Sequence, residues 1–196
     1  MLSPQDFQFD LPRDRRPPLA PLPERWAPGM PGAALAASSE RTDPFPDGVR
    51  AIVVHATAGG SSAGALSVIR PGGASFHWLV PAEGEDAHGR FVWACVPERR
   101  AAWHVRNACA HKAVCGGARR INHASLGIEI VNRMRANDPY SEWQMDATAA
   151  IIRYAWAKYP ELVHVVSHAR LDPARRTDPG AHFPWTELER RVLSGA

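Results

Sequence analysis

Two of the nine histidines stand where chemistry tends to collect. His55 closes the β-branched run RAIVVHA just before a Gly59-Gly60-Ser61-Ser62 turn, and His168 closes the run VHVVSH. Ligand sites in α/β sheets gather at the carboxyl ends of strands, so both imidazoles fall where a site would open. Asp178 follows His168 by ten residues, and Pro179-Gly180 then turns the chain away. Two imidazoles and one carboxylate make a three-ligand set for zinc with a fourth position left for water, the pattern of a catalytic rather than a structural site. Scattered His and Asp side chains are more often surface or hydrogen-bonding groups than ligands, so the surrounding segments carry the decision.

The elements that must hold these residues can be read from periodicity and punctuation. SAGALSVIR predicts a short helix stopped by Pro71 and Gly72-Gly73, and ASFHWLV and FVWACV predict two strands joined by a loop rich in Gly and Asp. SLGIEIV is a further strand whose alternation puts Leu126, Ile128 and Ile130 on one face and Gly127, Glu129 and Val131 on the other. The clearest helix starts at Ser141, which can form a capping box with Gln144. An apolar stripe of Trp143, Ala147, Ala150, Ile151 and Tyr154 follows, and Pro160 ends the helix. Thr186 and Glu189 suggest a second capping box at the start of a last helix. Strands interleaved with helices predict an α/β fold, one domain at 49–196 with a central mixed β-sheet flanked by helices. Ten of the 18 prolines precede residue 51, so 1–48 reads as a Pro-rich, irregular N-terminal arm. Phe7, Phe9, Leu11, Leu22 and Trp26 could lay that arm against the domain, and a flexible leader is equally open.

Composition narrows the classes. The 196 residues are long enough to bury a core, and 45% hydrophobic with 22% charged argues against wholesale disorder. No apolar run is long enough to cross a bilayer. The net charge of +3 is small and unclustered, which argues against a nucleic-acid binder even though 21 of the 23 basic residues are Arg. The first residues carry Asp6, Asp10 and Asp14 where a signal peptide would be apolar, and Arg15-Arg16 runs into Pro17-Pro18, so neither a Sec nor a Tat signal is expected. Cys95, Cys109 and Cys115 are too few for a disulfide scaffold. A Cys109–Cys115 bridge and free thiols both stay open, and CAHKAVC fits no ordinary zinc-finger spacing.

In order along the chain, IVVHATAGG, SFHWLV, AAWH, INHASLGIEIVN and HVVSHARLDPARRTDPGAHFPW resemble the signature blocks of the type-2 N-acetylmuramoyl-L-alanine amidases, a zinc family that includes phage lysozyme-like amidases and the peptidoglycan recognition proteins. The resemblance runs from about residue 50 to 190. It implies one zinc ion per chain held by His55, His168 and Asp178, with Glu129 as the catalytic carboxylate. The family usually carries Lys two residues before the aspartate ligand, where this chain has Arg176. In a chain so rich in Arg the swap can follow composition and keep the positive charge, or the bulkier guanidinium can reshape the site. Arg176 is expected to act on the oxyanion electrostatically, since its pKa stays above about 12. His77, Trp103, His104 and Asn122 fall in the matching blocks and are expected to contact sugar or peptide. The alternatives are hydrogen bonding behind the site, simple packing, and for Asn122 fixing the loop before the Glu129 strand.

The resemblance therefore implies hydrolysis of the amide between N-acetylmuramic acid and L-alanine, with peptidoglycan or muropeptide as partner. A binding module without catalysis is the competing class; its members tend to lose a ligand, and here all four residues are present. Action on periplasmic wall after non-classical delivery, as a lysin or a secreted effector with a delivery or immunity protein, stands beside cytoplasmic recycling of wall fragments.

Overall fold

The buried runs of the sequence lie side by side in the computed structural model, which describes residues 7–42, 48–85 and 91–194. The chain begins with β1 (Gln8–Asp10), β2 (Glu24–Trp26), α1 (Gly32–Leu35) and β3 (Ser38–Glu40). It continues through β4 (Ala51–Ala56), α2 (Ser62–Leu66), β5 (Trp78–Val80), β6 (Val92–Ala94) and β7 (Arg100–Ala102). After 3-10 turns at Cys115–Gly117 and Ile121–Ala124 come β8 (Ser125–Ile130), α3 (Glu142–Lys158), β9 (His164–Ser167), α4 (His168–Leu171) and α5 (Trp185–Leu193).

Seven strands form a mixed sheet in the order β1-β9-β4-β8-β5-β6-β2, and β3 pairs with β7 in a small second sheet. The four central strands β9, β4, β8 and β5 run parallel. Strand alternation divides the core. Ile52, Val54, Leu126, Ile128, Ile130 and Val165 pack with α3 and α5 on one face. On the other face Ala51, Val53 and Val166 join Val105, Ile121 and Leu171, while Leu79 and Trp93 join Ala65, Ile69 and Phe76. Between those two apolar clusters the second face carries His55, Gly127 and Glu129.

Both helix signals need adjustment. Ser141 and Gln144 form the capping box at α3, but the buried face is turned from the expected stripe toward Met145, Thr148, Ala149, Ile152 and Trp156. Gln144 is itself buried and donates to the Pro81 and Val131 carbonyls, at 3.2 and 2.8 Å, so a polar residue occupies the inner face. Helix α5 starts at Trp185 after Pro184, with no side-chain cap, so Thr186 and Glu189 make no second box. Cys95, Cys109 and Cys115 are all free thiols.

Within the Pro-rich segment, irregular over 11–23, three short strands pair with the body of the domain. β1 pairs antiparallel with β9, β2 parallel with β6, and β3 with β7. Phe9 and Leu11 are buried, and Phe7 stacks on Trp185 at 5.2 Å. Arg16 donates to the Trp156, Tyr159 and Pro160 carbonyls, answering orphan acceptors at the end of α3. Arg41 reaches deepest. Its guanidinium donates to the carbonyls of Glu98, Asn122, His123 and Ser125 at 2.9–3.0 Å, pinning the turn that leads into β8. Burial draws its pKa down to about 10, so it remains charged at neutral pH.

Removing this clamp leaves several buried carbonyls without a donor. Arg41→Met is expected to cost about 3 kcal/mol and to lower the thermal midpoint by roughly 6–12 °C for a chain of this size. A midpoint unchanged in calorimetry would show that the Arg41 clamp contributes nothing to the stability of the domain.

Candidate metal centre

Register brings the first two functional side chains together. In the parallel pairing of β4 with β8, His55 lies opposite Glu129. Because Ile52 and Val54 face the helices, His55 faces the other way, one strand from a carboxylate on the same surface. His168 is the first residue of α4, directly after β9, where Ser167 caps the turn by accepting from Arg170 N at 3.0 Å. Arg106 holds the end of that turn through a bidentate pair with Asp172, both contacts 2.9 Å.

Asp178 is brought back to α4 by its backbone, since Ala169 N donates to the Asp178 carbonyl at 3.0 Å. The Asp178–Pro179 peptide is cis. Tyr140 Oη donates to the Pro179 carbonyl at 2.6 Å. Gly180 adopts φ +93°, a conformation that favours glycine, and a Cβ there would sit tightly against Met134 at 3.1 Å.

The three candidate ligands converge. His55 Nδ1 lies 2.9 Å from His168 Nδ1 and 3.2 Å from Asp178 Oδ2, and His168 Nδ1 lies 3.0 Å from the same oxygen. All three residues are buried. Three lone-pair atoms cannot crowd together at this spacing unless protons or a cation lie among them, and two imidazole nitrogens with one carboxylate oxygen suit a divalent metal of borderline softness. Burial, and then the neighbouring His168, push the His55 imidazole down to about 4, so it is neutral and able to offer a lone pair at pH 7. Burial opposes ionisation of Asp178, yet its bonds to His168 and His55 outweigh that and hold the carboxyl well below the usual range. These residues could hold a metal ion.

Behind the triad the polar contacts continue. His55 Nε2 lies 3.0 Å from His104 Nδ1, and His104 Nε2 lies 3.1 Å from Ser125 Oγ. Gly127 leaves room for this ring: a Cβ there would stand 2.8 Å from His104 Cγ. In front, the triad opens into a cleft of about 500 Å³ lined also by the 57–61 turn, Val68, Glu129, Met134 and Arg176.

Comparison with known proteins meets this geometry. The family model described as N-acetylmuramoyl-L-alanine amidase matches residues 45–181. The chain belongs to that family. It is 32% identical over 156 residues to the N-acetylmuramoyl-L-alanine amidase AmiD of Escherichia coli K12, covering 74% of this chain and 54% of the relative. It is 31% identical over 119 residues to the 1,6-anhydro-N-acetylmuramyl-L-alanine amidase AmpD of Salmonella typhimurium LT2, covering 60% and 57%. The chain thus spans about half the length of the curated relatives it matches. Among solved structures, AmpDh3 of Pseudomonas aeruginosa superposes with a TM-score of 0.64 at 30% identity, covering 79% of this chain and 63% of that one. The E. coli AmiD complex with the substrate anhydro-N-acetylmuramic acid-L-Ala-D-γ-Glu-L-Lys gives 0.60 at 30% identity, over 82% and 67%.

In this member of the amidase family the expected site residues divide into two groups. His55, His168, Asp178, Glu129, His104 and Arg176 all line the cleft. The expected substrate contacts fare differently. His77 is fully enclosed: its Nδ1 accepts from Gly127 N at 2.9 Å, and its Nε2 lies 3.0 Å from the Arg100 carbonyl. Burial and then Arg41 hold it down to about 3, so it is a neutral tie between β5, β7 and β8. Asn122 bonds both ways to the Val105 backbone, at 2.9 and 2.6 Å, and fixes the loop. Both ring nitrogens of His104 are engaged, so it has no polar atom to offer a ligand. Trp103 is exposed beside the cleft, its backbone paired with Ser75, which lines it. Sequence reasoning missed Ser125, Arg41 and Tyr140. The first hides in an apolar strand, the second among 21 arginines, and the third beside a helix start.

Glu129 is pushed up to about 8 by burial first and then by Asp178, against the opposing charge of Arg176. The metal-free folded protein therefore keeps a proton that the unfolded chain releases near 4.5. Stability from this group is full below that value and falls as pH climbs toward about 8. Glu129→Gln removes the penalty. The metal-free variant is expected to melt a few degrees above the parent near pH 8.5 and level with it near pH 4. Thermal scans that differ equally at both pH values would refute the shift.

Proposed function

We propose that this chain hydrolyses the amide joining the lactyl group of N-acetylmuramic acid to L-alanine of peptidoglycan stem peptides, using one zinc ion held by His55, His168 and Asp178. One observation carries the reading: three ligand atoms lie 2.9–3.2 Å apart beside Glu129 in an open cleft, in a chain of the amidase family. Zinc supplies Lewis acidity, polarising a carbonyl and bringing the pKa of water down to about 7.

The rest falls to the chain's own side chains. Glu129 takes the proton of the attacking water and returns it to the departing alanine nitrogen. Its pKa, raised by the surroundings, suits a group that must both accept and give back a proton near neutrality. Arg176, exposed in the cleft wall, faces the developing oxyanion and stabilises it by charge alone, a role typically worth about 3 kcal/mol.

Polymeric wall in the periplasm is our reading of the target. The likeness to AmpD, named for 1,6-anhydro-N-acetylmuramyl-L-alanine, favours soluble recycling fragments in the cytoplasm as a second reading. None of the described helices is long and apolar enough to cross a membrane.

Digestion of purified sacculi and of soluble anhydromuropeptides, followed by mass spectrometry, tests both. Free peptides beginning at L-alanine, abolished by a chelator and restored by zinc, are expected from sacculi. Release from soluble fragments alone selects the recycling reading, and silence on both substrates overturns the amidase reading. Arg176→Lys is expected to keep kcat within about tenfold, whereas Arg176→Ala loses on the order of a hundredfold. A loss beyond about a thousandfold in the lysine variant would sink the idea that the two cations are exchangeable.

A further inference from the structure

The hydrogen bonds behind the triad have a direction, and it is set by a group that can only accept. Ser125, the first residue of β8, is fully buried. Its Oγ lies 2.8 Å from the Ile121 carbonyl oxygen and 3.1 Å from His104 Nε2. A carbonyl has no proton to give, so the single hydroxyl proton of Ser125 goes to Ile121. Ser125 Oγ must then receive a proton from His104 Nε2. A neutral imidazole carries one N–H, which leaves His104 Nδ1 as an acceptor. That atom lies 3.0 Å from His55 Nε2, which is therefore the protonated nitrogen of His55. His55 Nδ1 is left bare, and it is the atom that faces His168 and Asp178.

We infer that His104 and Ser125 are a positioning pair that fixes the tautomer and ring orientation of His55 so that its Nδ1 lone pair is committed to the metal. The inference rests on the triad being a metal site. The pair has little freedom to do otherwise. The His104 ring lies so close to Gly127 that a Cβ there would meet it at 2.8 Å, and it meets the His55 ring edge-on with centroids 5.1 Å apart. Ser125 is held from the far side by Arg41, which donates to its carbonyl at 3.0 Å. Rotating either ring by half a turn would place a carbon where a hydrogen bond now stands. Outer partners of metal-binding histidines typically change metal affinity by about 10–100-fold when removed.

The test uses the full chain stripped of metal and titrated with Co2+, read by visible absorption and by competition with a chelator. His104→Leu has no acceptor for His55 Nε2 and is expected to bind Co2+ about 10–100-fold more weakly. His104→Gln can turn a carbonyl oxygen toward His55 and is expected to recover most of that loss. Ser125→Ala removes the fixed end of the chain and is expected to fall between the parent and His104→Leu. Long-range 1H–15N spectra of the histidine rings give a second readout in the metal-free parent. His55 should be protonated at Nε2 there, and Ser125→Ala should show both forms. A purely structural role would lower the thermal midpoints without ordering the affinities by acceptor capacity. His104→Leu binding Co2+ as tightly as the parent, or His55 protonated at Nδ1 in the metal-free parent, overturns the inference. A parent that binds no Co2+ overturns instead the metal reading beneath it.

Discussion

Parallel pairing of β4 with both β8 and β9 is the constraint from which the site follows. It sets His55 opposite Glu129 and ends β9 one residue before His168. Side chains alternate along a strand, so a slip of one residue in β4 would send His55 into the apolar face under α3 and bring Val54 to the cleft. The apolar residues that prevent that slip are Ile52, Val54, Leu126, Ile128 and Val165, all fully buried on the helix side. The chemistry on one face is thus held in register by packing on the other.

Much of this was legible from the residues. Short β-branched runs ending in histidine gave the strands, and alternation in SLGIEIV put Glu129 away from the helix face, where the structure has it. The Ser141–Gln144 box marked the start of α3. The sequence was silent where long-range contacts decide. Nothing local says that Gln144 turns inward to two carbonyls, or that His77 and Asn122 spend their polar atoms on backbone groups. Motif position brought them near the site; only the fold could say whether they faced it. Short extended pieces among prolines gave no periodic signal either, because their partners are the edges of a sheet formed by residues far along the chain.

Charge placement ties the early segment to the site as closely as hydrogen bonding does. Arg41 is a half-buried cation surrounded by carbonyl oxygens; beside it His77 is held neutral by burial and then by that positive charge, and His104 by burial and then by the neighbouring His55 and His77. The carbonyls that Arg41 gathers belong to the turn from which Ser125 starts β8. A residue distant in sequence therefore shapes both the geometry and the electrostatics of the wall behind His55.

The edge pairing of β1 with β9 bears on how the chain reaches this state. Phe9 is aligned with Val165, so the first described strand must wait for the last before it can pair. During synthesis from the ribosome, that hydrophobic segment stays unsatisfied until all the residues between it and β9 have followed. Central parallel strands joined across long intervals add to the same delay, since loop closure precedes the reward of pairing. The pairing of β9 with β1 and β4 is consequently the last step, whereas β4, β8, β5, β6 and β2 have their mutual partners before β9 is made. Until it occurs, the exposed edge of the growing sheet is the region most open to wrong partners.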